Sequence, residues 1–178
     1  MEIQNTKRLS FRLMDENDAA LLFELDQDVE VMRYINGGIK TTMEEVKNSF
    51  IPRLNSFTER EKGWGLWQVN RLDSQQFIGW ILVRPMHFFS DNPEYSNLEL
   101  GWRFKQSSWG QGYATEAALA VKQVFITNPN VTQFSAIANP ENRGSINIMR
   151  KIGMGFISNN KQNDPNGKDE VVLYQCDN

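Results

Sequence analysis

The chain has 178 residues, 40% hydrophobic and 23% charged, enough for one domain around one core and too apolar for a disordered chain. A net charge of −3 leaves no basic footprint for nucleic acid, and a single cysteine, Cys176, excludes an internal disulfide framework. Residues 1–10 lack the apolar core of a signal peptide, so the cytoplasm is the expected location and no membrane partner is expected.

Leu9-Ser10-Phe11-Arg12-Leu13 alternates apolar and polar and predicts a first strand. Cap-type residues Asp15, Glu16 and Asp18, read as helix capping and solvated surface, precede a short helix over 19–25. A second helix over 29–35 should stop at Asn36-Gly37-Gly38. Thr41 or Thr42 with a glutamate three residues on is a capping-box signal, and the helix behind it should reach Phe50 and stop near Pro52.

Residues 65–70 and 76–84 are apolar and aromatic runs around Leu72-Asp73-Ser74-Gln75, the pattern of an antiparallel hairpin. The run Phe77-Ile78-Gly79-Trp80-Ile81-Leu82-Val83 is strand-like and far short of the ~20 residues that span a bilayer. A loop over 86–95 and a strand over 98–104 follow, with Gly101 marking a bulge or a close backbone approach. A helix over 114–127, a strand over 131–137 and a helix over 143–152 ended by Gly153 come next. Strands over 156–158 and 171–175, with a turn at Asn163-Asp164-Pro165-Asn166-Gly167, complete the chain. The order predicts an α/β (α+β type) domain over residues 1–178, built on one mixed sheet flanked by helices.

Gly110 and Gly112 stand between a predicted strand and a predicted helix. The first N–H groups of such a helix have no intrahelical acceptor, and its dipole favours an anion. The loop lacks the Gly-Lys-Ser/Thr of a P-loop, and Thr115 stands where the dinucleotide fingerprint needs its third glycine.

Leu98-Glu99-Leu100-Gly101-Trp102, followed by Trp109-Gly110-Gln111-Gly112-Tyr113-Ala114-Thr115-Glu116-Ala117, resembles the GNAT superfamily of N-acetyltransferases. The resemblance is to the branch typified by the ribosomal-protein acetyltransferases RimJ and RimL. Thr6-Lys7-Arg8-Leu9-Ser10-Phe11-Arg12, Asn139-Pro140-Glu141-Asn142-Arg143-Gly144-Ser145 and Lys151-Ile152-Gly153-Met154-Gly155-Phe156 carry it further, so that it covers residues 6–175. The superfamily loop usually opens on Arg or Gln. Gly112 and Ala114 match the pattern, but Trp109 takes that first place, as it often does in this branch.

The resemblance implies a GNAT-like fold whose central parallel strands splay apart to admit coenzyme A. It implies acetyl-coenzyme A as donor, with the pyrophosphate on Trp109, Gly110, Gln111, Gly112, Tyr113, Ala114 and Thr115, and the pantetheine arm along the strand ending at Phe104. Asn142 is then a pantetheine contact or a helix cap, and Ser145 a donor to the leaving thiolate or a cap. The acceptor is an amine, either a protein N-terminus or a small amine. Glu99 is the candidate base, where flanking Leu98, Leu100 and Trp102 could desolvate it, or a mere substrate contact. Direct attack in a ternary complex needs no nucleophilic cysteine, and Cys176 has no basic neighbour in sequence. His87 reads as a surface residue, Trp64, Trp67 and Trp80 as core or cleft lining, and no Cys/His cluster suggests a metal. The alternative is an acyl-coenzyme A module that senses and does not catalyse; a monomer and a homodimer are both compatible.

Overall fold

The computed structural model describes residues 1–164 and 167–178, with side chains described outside 160–169. Among these residues seven strands form one sheet in the order β1-β2-β3-β4-β5-β7-β6. They are β1 (Leu9–Leu13), β2 (Gly65–Arg71), β3 (Phe77–Met86), β4 (Glu94–Phe104), β5 (Gln133–Ala138), β6 (Gly155–Asp164) and β7 (Gly167–Asp177). Only β4 and β5 pair in parallel; every other neighbour is antiparallel.

The helices are α1 (Ala19–Leu25), α2 (Val29–Asn36), α3 (Met43–Glu45), α4 (Ile51–Phe57), α5 (Tyr113–Phe125) and α6 (Arg143–Lys151). Strand alternation divides them between the two faces of the sheet. Leu98, Leu100 and Phe104 of β4 join Ala117, Val121 and Phe125 of α5 and Met149 of α6 in the larger core. Leu66 and Leu82 point the other way, onto Leu22 of α1 and Ile51, Leu54 and Phe57 of α4. Glu99, Gly101 and Arg103, at odd positions of β4, share the face of Leu82.

Caps set several ends where the sequence places them. Asp15 and Asp18 form a capping box, as do Thr42 and Glu45, and Gly37 ends α2 in the left-handed conformation. Asp18 is nevertheless no solvated residue: it is buried and paired with Arg12 at 2.5 Å. Asp26, at the end of α1, accepts from Thr41 at 2.9 Å and from Arg103 at 2.5 Å, tying the end of β4 to the turn before α2.

Four expectations need correction. The helix does not stop near Pro52: α3 passes through a π turn (Val46–Phe50) into α4, which runs to Phe57. The wider turn lets Pro52, at the start of α4, sit without an N–H donor and without crowding the preceding carbonyls. Strand β4 starts at Glu94 rather than at 98, because Glu94 regains a partner, Met86, after the irregularity at Pro85/Met86. Gly101 makes no bulge: it pairs in register with Leu82, and a Cβ there would meet the Leu82 side chain at 3.3 Å. Strands β6 and β7 run far beyond 156–158 and 171–175, because ladder hydrogen bonds can extend a hairpin whose sequence no longer alternates apolar and polar. Of the predicted turn, Pro165 and Asn166 lie outside the described residues.

Among the described residues no helix is long and apolar enough to cross a membrane.

Candidate active site

Parallel pairing of β4 with β5 covers only Asn97–Gln133, Leu98–Phe134 and Glu99–Ser135. Both strands continue, β4 to Phe104 and β5 to Ala138, so they part from Leu100 onward. The sheet opens there as a V. Backbone groups of β4 from Leu100 on that face β5 have lost their ladder partners and can pair with an extended ligand arm.

The glycine loop lies at the open end of the V. After β4, a 3-10 turn (Gln106–Ser108) leads through Trp109 to Gly112, which caps α5. Gly110 and Gly112 have φ of 73° and 79°, left-handed values that suit glycine. No side chain caps the first N–H groups of α5, and a Cβ built at Gly110 meets nothing within 4 Å. The loop therefore offers uncapped donors beside open space, which fits a pyrophosphate. Trp109 is 47% exposed and donates its indole N–H to Phe104 O at 2.8 Å, so it braces the loop against the end of β4. Gln111 braces it again through Ser107 O at 2.8 Å.

Sequence reasoning missed the cation beside this loop. Arg8 donates to Gln111 O at 3.0 Å and pairs with Glu116 at 2.5 Å, and its guanidinium lies 4.4 Å over the Tyr113 ring. Thr6 donates to the other oxygen of Glu116 at 2.6 Å. Burial works against the Glu116 charge, but the hydrogen bonds from Thr6 and Arg8 outweigh it and hold the carboxyl below its ordinary value. A depressed folded-state value means that the contribution to stability is present above the unfolded value and lost as pH falls through the folded one. Urea midpoints should therefore fall on acidification below the ordinary glutamate range more steeply for the parent chain than for Glu116→Gln. Parallel acid limbs would overturn this assignment.

At the other side of the V, Asn142 caps α6, its Oδ1 accepting from Ser145 N at 3.0 Å. Ser145 Oγ accepts the Trp102 indole N–H at 3.1 Å, across the gap from β4 to α6. That bond occupies a lone pair and leaves the hydroxyl proton free to donate. The cap follows from the local spacing, but the Trp102–Ser145 bond was not legible there, because it needs the strand and the helix to be brought together.

Glu99 stands at the apex of the V, the last β4 residue paired with β5. It is buried, and Oε2 accepts from Arg84 Nε at 2.7 Å, with the two side chains 9% and 17% exposed. Leu98 and Leu100 point to the opposite face, so what covers Glu99 is Arg84 and its surroundings, not its neighbours in sequence. The Arg84 guanidinium lies 5.5 Å from the Phe57 ring and 5.3 Å from the Phe89 ring. A concavity lies elsewhere, at the starts of β4 and β5 by Glu94, Gln133 and Asp177, at the end away from the opening of the V.

His87 is an exposed loop residue with its Nε2 3.6 Å from Glu94, and Trp64 and Trp67 are core residues. Cys176 does have a basic neighbour in space, Lys122, whose Nζ lies 3.0 Å from Sγ. Among the described residues there is no group of His, Cys, Asp and Glu that could hold a metal ion.

Comparison with known proteins bears on this geometry. The family model described as "Acetyltransferase (GNAT) domain" matches residues 8–155. An N-acetyltransferase of Bacillus subtilis (strain 168), YnaD, is 32% identical over 149 residues, 84% of this chain and 80% of that protein. Among solved structures, a GNAT-family acetyltransferase from Bacillus anthracis superposes with a TM-score of 0.77 at 25% identity, covering 99% of this chain and 98% of that one. The ribosomal L7/L12 acetyltransferase RimL, solved in complex with coenzyme A, shares the fold with a TM-score of 0.76 at 14% identity over 99% of this chain and 98% of that one. With a family match over most of its length and a splayed parallel pair closed by an uncapped glycine loop, the chain belongs to the GNAT family and is an acetyltransferase.

Proposed function

We propose that the protein is a RimJ/RimL-like N-acetyltransferase that moves an acetyl group from acetyl-coenzyme A to a primary amine by direct attack in a ternary complex. The observation that carries this reading is the V between β4 and β5, with an uncapped helix start at its mouth and a buried carboxylate at its apex. The Gly110–Gly112 loop and the first turn of α5 (Tyr113, Ala114 and Thr115) receive the pyrophosphate on backbone N–H groups, with Trp109 and Gln111 holding the loop's shape. Backbone groups of β4 up to Phe104 pair with the pantetheine arm, and Asn142 offers its side-chain amide beyond the oxygen it uses as a cap.

In the reaction an N–C bond forms and the thioester C–S bond breaks. One proton leaves the amine and one reaches the departing sulfur. Glu99 takes the first proton, directly or through water, and the Ser145 hydroxyl, oriented by Trp102, donates to the thiolate. Glu99→Gln should lower kcat/KM roughly a hundredfold, within the range of general-base losses, while Ser145→Ala should cost about tenfold. The assay is thiol release from acetyl-coenzyme A, with mass-spectrometric detection of acetylated amines. If the protein binds coenzyme A and acetylates no amine in a panel of peptides, amino acids, polyamines and aminoglycosides, the sensor reading replaces this one.

A further inference from the structure

We infer that Arg84 is an acceptor-binding residue and that the acceptor carries a carboxylate beside its reactive amine, as a free amino acid does. The inference rests on the acetyltransferase reading above, in which the amine is presented at Glu99.

The observation is the state of the Arg84–Glu99 pair. The two residues face each other across β3 and β4, and the single bond between them uses Arg84 Nε and Glu99 Oε2. Among the described residues nothing accepts from Arg84 Nη1 or Nη2, and nothing donates to Glu99 Oε1. Among the described residues the one sealed side-chain nitrogen or oxygen without a partner is Arg103 Nε, so these residues alone do not seal the three groups off. A mostly buried ion pair ordinarily satisfies its remaining donors within the protein, because each one left unmade costs stability. Here they are left unmade among the described residues, as a ready fork.

The fork is also held still. Phe57 and Phe89 flank the guanidinium, and Phe57 packs edge-on to both Phe88 and Phe89, at 6.2 and 6.1 Å. Arg53 lies 3.8 Å over the Phe89 ring. A planar guanidinium with two parallel N–H donors matches a carboxylate bidentately. Glu99 Oε1 beside it is the acceptor for an ammonium. Opposite charges on one small molecule fit this adjacency. A polyamine or aminoglycoside brings no carboxylate to the guanidinium, and an amidated amine leaves the fork unfilled.

The test compares each free L-amino acid with its own carboxamide, alongside spermidine and kanamycin, in the thiol-release assay. Acids should exceed their amides in kcat/KM by roughly tenfold to a hundredfold, the size of a lost charge-assisted contact. Arg84→Lys, which keeps a cation opposite Glu99 but removes the fork, should cut the acid-to-amide ratio about tenfold. The ratio is internal to each preparation, so partial loss of folded protein cancels. Equal rates for acid and amide in the parent chain, preference for spermidine or kanamycin, or an unchanged ratio in the lysine variant each overturn the assignment to Arg84 and leave the acetyltransferase reading standing. Acetylation of no amine at all removes that reading, and this inference with it.

Discussion

Gly112→Val should raise the dissociation constant for coenzyme A roughly a hundredfold, equivalent to about 2.7 kcal/mol. Gly112 sits at φ 79° and ψ 1°, and a β-branched residue held there costs about 1–3 kcal/mol. Space is not the obstacle, since a Cβ would lie 3.5 Å from Arg8 Nη2, an ordinary contact. The chain can relieve the strain only by leaving the left-handed conformation. That turns the N–H groups of Tyr113, Ala114 and Thr115 away from the ligand they would share. Asparagine tolerates the left-handed region better, so Gly112→Asn should lose much less affinity. Isothermal titration of both variants with coenzyme A checks this. Affinity within threefold of the parent for the valine variant would falsify the loop as the phosphate site.

Gly79→Ala should be the most destabilising small substitution in the sheet, by about 3 kcal/mol. Gly79 on β3 pairs with Phe104, the last residue of β4. A Cβ at 79 would overlap Arg103 O and come within 2.8 Å of Phe104 Cα and 2.7 Å of Phe104 Cγ. Backbone cannot yield as a flexible side chain would, so the two strands must separate at the point where the glycine loop begins. Phe104 O also holds the Trp109 indole, so a shift there carries into the loop. The urea midpoint should fall with an unchanged m-value. Coenzyme A affinity should weaken in the fraction that remains folded. A stability loss below about 1 kcal/mol would mean the strands have more freedom than the packing implies.

The two glycine positions differ in how far they could be read from the chain alone. Gly112 lies in a motif, so the spacing from Leu98 to Ala117 by itself locates the loop. Gly79 sits inside an apolar run that resembles any buried strand. Its demand for a missing side chain comes from Arg103 and Phe104, some 25 residues away in sequence. The helix at Pro52 failed for a similar reason: proline reads as a stop, and only the π turn before it makes room.

By itself, then, the sequence determined the order of elements, the caps at Asp15, Thr42 and Gly37, and the family, because these depend on short-range periodicity, local hydrogen bonding and motif spacing. Glu99, Asn142 and Ser145 could be named from it as candidates. The partners of the Glu99 carboxylate and the Ser145 hydroxyl could not. Arg84 reaches Glu99 through the β3–β4 register, Trp102 reaches Ser145 across the open V, and Arg8 reaches the glycine loop from just before the first strand. Each of these contacts joins residues distant in the chain, through pairing and packing that a one-residue shift of register would undo. The tertiary structure alone decided that the carboxylate at the apex is half of an ion pair with Arg84.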